Sequence, residues 1–381
     1  MAGKKRRNFF YRGTYFDYPS LFLVLFLFFF GLVMVMSVSS YQGRVDFDDS
    51  LYYFKRQLLF GTGGLAAMWF VSHMRYQFLK NWSLVICVGT ILLLGLVYVV
   101  GSASHGSTRW INLGFISFQP SEIAKMSLII YTAHICTARS GYLKTVLGAI
   151  VAMLLPMIAI VMIAIENLST AIVCGVIVVT IWFVATPKKW HMLLVLGAAV
   201  AFFIIFLNMA SYRGGRIDAW LHPETSADGY QTMQALYAIG SGGLFGRGLG
   251  QSIQKMGFIP EAHNDMVFSV VCEELGIVGG IMIILVFGML LWRFRFIAEG
   301  APDRFGALLV VGVIAHIAFQ VILNICVVTN TLPNTGCALP FISYGGSSLA
   351  FLMVEMGIVF SVSRQIVPLS KTEGDAVVSK S

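Results

Sequence analysis

The chain has little of what a soluble protein needs. Only 12% of its 381 residues are charged, and carboxylates are the scarcer sign, 18 against 26 Lys and Arg. That scarcity excludes a sizeable soluble domain, and a mean hydropathy of +0.81 places the chain among polytopic membrane proteins. The six cysteines (Cys87, Cys136, Cys174, Cys272, Cys326 and Cys337) are scattered, mostly inside apolar runs where Cys behaves as a small hydrophobe. There is no CxxC and no Cys/His cluster, so neither a disulfide framework nor a metal site is supported. The glycine-rich stretch Gly240 to Gly250 lacks the GK[ST] ending of a P-loop. The net charge of +8 is not a nucleic-acid footprint, because the basic residues sit in short clusters between apolar runs, a pattern of membrane topology and anionic lipid.

What is present is a series of apolar runs long enough to cross a bilayer core of about 30 Å. They predict an all-α polytopic protein of ten transmembrane helices, near 20–38, 57–73, 82–100, 120–137, 145–165, 169–186, 191–210, 265–292, 305–327 and 347–363. The KKRR start resembles a signal peptide, but its apolar run is too long for one and reads as a retained first span. With a cytoplasmic N-terminus, 17 of the 26 basic residues fall in inner segments, which predicts that both termini are cytoplasmic. The expected organisation is a basic N-terminus over 1–19, one membrane domain over 20–366 and a disordered tail over 367–381. The seventh and eighth spans are separated by a polar outer loop, 211–264, whose interspersed aromatic and aliphatic residues argue for a folded segment. The loops near 101–120 and 329–346 mix Gly, Pro and apolar residues, as suits backbone that dips into the membrane while buried in protein.

Charges at the edges of apolar runs are candidate functional groups, since each is expensive there unless paired. Glu122 and Lys125, three apart on one helix face, can form a structural ion pair, or Lys125 can face a cavity and meet an anionic substrate. Glu355 has no cation near it in sequence and needs a partner from another helix. Arg109 and Trp110 combine a phosphate-binding guanidinium with a ring suited to sugar or lipid, and Gln119 and Ser121 lie close by in sequence. The glycine-rich segment, Gly243 and Arg247 among it, is either a phosphate cradle or a tight backbone contact. Asp265 is the principal candidate: a carboxylate at the mouth of a membrane cavity can act as general base, with His263 placed to bind phosphate or tune it. Equally, Asn264 or Asp265 could simply cap the eighth span.

Five stretches, GSTRWI (Gly106 to Ile111), FQPSEIAK (Phe118 to Lys125), YAIGSGGLFGRGLG (Tyr237 to Gly250), PEAHNDMVFSVVCEELG (Pro260 to Gly276) and LPFISYGGSS (Leu339 to Ser348), together resemble the SEDS family of membrane proteins, with its FtsW and RodA branches. The resemblance implies a peptidoglycan glycosyltransferase that polymerises lipid II into glycan strands on the outer face of the cytoplasmic membrane, with inversion at the anomeric carbon and release of undecaprenyl pyrophosphate. It places the family's essential aspartate on Asp265, and Arg109, Lys125 and Arg247 become candidates for holding pyrophosphate. Ser343, Tyr344, Gly345 and Ser347 would complete the substrate-binding wall. No cofactor is expected, although a divalent cation could accompany the pyrophosphate. The implied partners are a class B penicillin-binding transpeptidase and other division proteins, and the implied location is the septal membrane. MVMSVSS and PEAHND favour the FtsW branch over a RodA-like elongation polymerase. A lipid II flippase would suit ten spans as well, but polar residues concentrated on one side favour the enzyme, since a flippase needs a polar path through the whole thickness. A scaffold without activity is the third reading.

Overall fold

A computed structural model describes residues 15–100, 102–104, 107–112, 117–138, 145–186, 197, 214–226 and 229–367. The expected seventh span, the basic N-terminus up to residue 14 and nearly all of the expected disordered tail lie outside them. Nine long helices match the other nine expected spans: α1 (Tyr18–Phe47), α2 (Tyr52–His73), α3 (Gln77–Val100), α4 (Pro120–Ala138), α5 (Val146–Glu166), α6 (Leu168–Ala185), α9 (Val267–Glu299), α10 (Arg304–Val328) and α11 (Gly346–Ser363). Six of them, α1, α3, α6, α9, α10 and α11, are long and apolar enough to cross a membrane. The molecule is therefore a polytopic membrane protein. Two short helices, α7 (Gly214–Leu221) and α8 (Tyr230–Gly242), lie in the polar loop, which is folded as expected.

Among the described residues the membrane-crossing part is all-helical, as expected, and the loop after α3 adds a small three-stranded antiparallel sheet of β1 (Ser102–Ser104), β2 (Ser107–Asn112) and β3 (Ser117–Phe118) that was not expected from the sequence. Trp110 pairs with Ser102 and Ile111 with Phe118. Thr108, Trp110 and Ile111 are strand formers, and hairpin pairing satisfies backbone groups that could not be left bare near the membrane.

Polar residues at the helix ends join distant parts of the chain. Asp17 caps α1 by accepting from the Ser20 N–H at 2.9 Å. The same carboxylate meets Arg293 Nη2 near the C-terminal end of α9 at 2.5 Å, and the Asp17 N–H donates to Ser363 Oγ on α11. α1 runs nine residues beyond its expected end, and its 30 residues span about 45 Å, longer than the bilayer core. α11 lies along α2 at a separation only small residues allow: a methyl group on Gly357 would come within 2.8 Å of the Met68 carbonyl oxygen.

Candidate functional site

The polar loop is locked to α9 through a break in that helix. Gly276 has φ 73° and ψ −177°, so α9 is a short helix over Val267–Leu275 followed by a long one. A break strands backbone groups that must find partners in a membrane protein. The glycine-rich segment supplies them. Ile277 and Val278 N–H donate to the carbonyls of Gly243 and Leu244 at 3.0 and 3.2 Å, while Arg247 and Gly248 N–H donate to those of Glu273 and Glu274 at 3.0 and 2.9 Å. The segment thus makes the tight backbone contact that was one of its two expected readings: the Arg247 and Gly248 N–H groups are bonded to protein, and Gly243 serves as an acceptor. Arg247 itself donates from Nε to the Ser241 carbonyl at 3.3 Å and sits 3.7 Å from Glu273.

The two acids before the break are fully buried and satisfied by the loop. Glu273 accepts from Ser252 Oγ and from the Ile253 N–H. Glu274 receives Lys255 Nζ and Ser37 Oγ, both at 2.7 Å, and so ties the loop to α1. Loop, α1 and α9 are thus held as one unit.

Asp265 lies at the last turn before α9, half-buried. It does not cap the helix: the N-cap residue is Met266, without a side-chain capping bond, and the Asn264 amide donates to Glu261 at 2.9 Å. Amides from two other segments reach Asp265, and an amide from a third supports one of them. Asn324 on α10 donates from Nδ2 to the Asp265 carbonyl and to the Cys337 carbonyl, each at 2.7 Å. Gln231 on α8 points Nε2 at Asp265 Oδ1, 3.5 Å away, and at the Pro260 carbonyl, 3.2 Å away. Asn334 donates to Gln231 Oε1 at 2.8 Å. The arrangement ties the Asp265 backbone to α10 and to the loop after it, with the side chain half-buried beside Gln231.

His263, two residues earlier, is buried between Tyr53, 4.4 Å away, and Tyr344, 5.6 Å away, and its carbonyl accepts from the Tyr344 N–H at 2.8 Å. Burial lowers its pKa, against the opposing pull of Glu261 and Asp46, and so disfavours the charged ring. Gln57 on α2 holds the adjacent wall by donating to the Ser343 carbonyl and accepting from the Gly345 N–H, each at 3.2 Å. Ser343 Oγ accepts from the Leu339 N–H at 2.7 Å, and Ser347 is buried at the start of α11. Ser343, Tyr344 and Gly345 are thus brought beside the segment carrying Asp265.

Behind this wall runs a buried polar chain. Lys125 and Glu122 form the expected ion pair at 2.9 Å, and Ser348 Oγ donates to Glu122 at 2.8 Å. Lys125 also lies 3.4 Å from Gln320 Oε1; Gln320 meets His316, and His316 Nδ1 lies 2.7 Å from Glu355. The partner that Glu355 requires from another helix is therefore His316. Lys125 is only 3% exposed. Gln119 and Ser121 lie apart from Asp265's amides, lining a small cavity of about 30 Å³ with Tyr98, Met162, Glu166 and Asn167. Arg109 and Trp110 are on β2.

Sequence reasoning missed Gln231, Asn324, Asn334, Gln57 and the His316–Gln320 pair. A signal existed for part of it. His316, Gln320 and Asn324 recur every four residues through an apolar span, the spacing of one helix face.

Comparison with known proteins agrees with this architecture. The family FtsW/RodA/SpoVE, described as cell cycle protein, matches residues 18–367. The chain is 40% identical over 361 residues to stage V sporulation protein E of Bacillus subtilis, covering 91% of this chain and 97% of that protein. It is 36% identical over 357 residues to a probable peptidoglycan glycosyltransferase FtsW of Geobacter metallireducens, covering 92% and 95%. Among solved structures it resembles a chain from work on the structural coordination of polymerization and crosslinking by a peptidoglycan synthase complex (TM-score 0.76, 27% identity, 92% and 98% covered). It also resembles the rod shape determining protein RodA of Thermus thermophilus (TM-score 0.67, 27% identity, 92% and 97% covered).

Proposed function

The chain belongs to the FtsW/RodA/SpoVE family of cell cycle proteins, and we propose that it is a peptidoglycan glycosyltransferase that polymerises lipid II on the outer face of the cytoplasmic membrane. The observation that carries this reading is Asp265: its backbone carbonyl accepts from Asn324 of α10 and its carboxylate faces the Gln231 amide of α8, where the polar loop meets the membrane helices. It takes the proton from the 4-hydroxyl of the acceptor GlcNAc as that oxygen attacks C1 of the donor MurNAc. The bond from C1 to the pyrophosphate oxygen breaks, undecaprenyl pyrophosphate leaves, and one displacement inverts the anomeric centre.

The membrane domain has ten spans with both termini cytoplasmic, which the Lys and Arg distribution supports. Lys125, buried beside Glu122, acts in this reading through the wall that carries Ser343 to Gly345. A class B transpeptidase is the expected partner, and the FtsW names among relatives support a septal role. The 40% identity to a sporulation protein favours a second reading, peptidoglycan synthesis confined to spore formation; loss of the gene would then spare vegetative division and block sporulation.

The test uses labelled lipid II and the purified protein with a partner transpeptidase inactivated for crosslinking. Asp265→Asn should lower glycan formation about 10²- to 10⁴-fold, the range of general-base catalysis, with the protein still folded. Glycan formed at the wild-type rate by Asp265→Asn and Asp265→Ala would end the general-base assignment.

A further inference from the structure

The carboxylate of Asp265 does not stand alone: a relay of two side-chain amides leads to it from the loop between α10 and α11. The Gly336 N–H donates to Asn334 Oδ1 at 3.1 Å, and Asn334 Nδ2 donates to Gln231 Oε1 at 2.8 Å. That bond decides which end of the Gln231 amide faces the acid. With Oε1 engaged by a donor, Nε2 must turn the other way, toward Asp265 Oδ1 and the Pro260 carbonyl. Gly336 closes the ring, since a methyl group at its α-carbon would be in ordinary contact with Asp265 Oδ2 at 3.8 Å.

We propose that Gln231, oriented by Asn334, is the positioning residue for the Asp265 carboxylate, fixing its orientation toward the acceptor hydroxyl through Oδ1. This rests on the reading of Asp265 as the general base. Two features support a role beyond packing. The Gln231 Nε2 to Oδ1 distance of 3.5 Å is long for a hydrogen bond, as is common for catalytic contacts before substrate closes the site. The relay also joins three segments far apart in sequence, α8, the turn before α9 and the loop after α10, so closing of the loops on a sugar would be felt at the carboxylate through it.

The chemistry has a definite sign. An N–H donated to a carboxylate favours its charged form, and a second carboxylate in the same place disfavours it. Among the described residues, the titratable groups near Asp265 are Glu261 and His263 on its own segment and Cys337 on the facing loop, with Glu122 and Lys125 of α4 beyond that thiol; α8 and α10 contribute the neutral Gln231 and Asn324. In Gln231→Glu the acid limb of the rate profile should therefore move to higher pH.

The experiment measures polymerisation of labelled lipid II across pH by the purified protein, with the crosslinking-inactive partner present. Gln231→Leu should lower kcat on the order of 10- to 100-fold with KM nearly unchanged, the size of effect produced by misplacing a reacting group. Gln231→Glu should shift the acid limb up by about one pH unit. Asn334→Asp can no longer donate to Gln231, lets that amide turn over, and should shift the limb in the same direction. Limb position does not depend on how much protein folds, so a poorly folding variant still reports. An unmoved limb in both Gln231→Glu and Asn334→Asp, or a loss confined to KM, overturns the inference. An active Asp265→Asn would instead bring down the general-base reading itself.

Discussion

Gly246 and Gly276 stand back to back, 30 residues apart in sequence. A methyl group on Gly246 would lie 2.6 Å from the Gly276 nitrogen, and one on Gly276 would lie 2.5 Å from the Gly246 nitrogen. Both have positive φ, 77° and 73°. This contact is where the polar loop enters the break in α9, and each half of it excludes a side chain.

The first expectation follows from that contact. Gly276→Ala meets a carbonyl as well as a backbone conformation open almost only to glycine, and strain of that kind costs about 1–3 kcal/mol before the clash is added. Thermal unfolding in detergent should show the loss for Gly276→Ala and for Gly246→Ala. Wild-type stability in both would mean that the loop does not seat on α9 in this way.

A second concerns Lys255 and Glu274, paired at 2.7 Å with almost no solvent contact. Lys255→Met leaves a buried carboxylate without its cation, a change that costs about 3–5 kcal/mol. Removing both charges together in Lys255→Met with Glu274→Gln should recover much of that loss, because the single variant suffers from the orphaned charge. A double variant no more stable than Lys255→Met would argue against a buried pair.

A third is a dependence on pH. The folded pKa of His263 is depressed by burial, so the unfolded chain binds the proton more readily. Stability from this group is intact above the unfolded value of about 6.5 and falls as pH drops from there through the lower folded value. The melting temperature should decline over that window, and His263→Phe should flatten the decline. An identical slope in the variant would show that the ring is not buried neutral between Tyr53 and Tyr344.

Much of the molecule was legible because its information is local. Membrane crossing depends on the length and hydropathy of a run, so nine of the ten expected spans appear as helices. The Glu122–Lys125 pair was readable because three residues along a helix bring side chains together. The sheet between α3 and α4 was not, since its strands are two to six residues long and depend on pairing. The composition of Gly240 to Gly250 suits an anion cradle and a backbone contact equally; the backbone contact itself depends on the break at Gly276, on another element.

By itself, then, the sequence determined that the chain is a polytopic membrane protein with a folded polar loop, and it marked Asp265 as an acid at a membrane edge. Its motifs also carried the family resemblance. What surrounds that acid was left to the tertiary structure: Gln231, Asn324 and Asn334 come from elements far apart in the chain, and no spacing within any one of them points to the others. The same holds for His316 with Glu355 and for Lys255 with Glu274. The physical reason is that a buried polar group must find a partner, while the chain's path through the membrane decides which partner is within 3 Å.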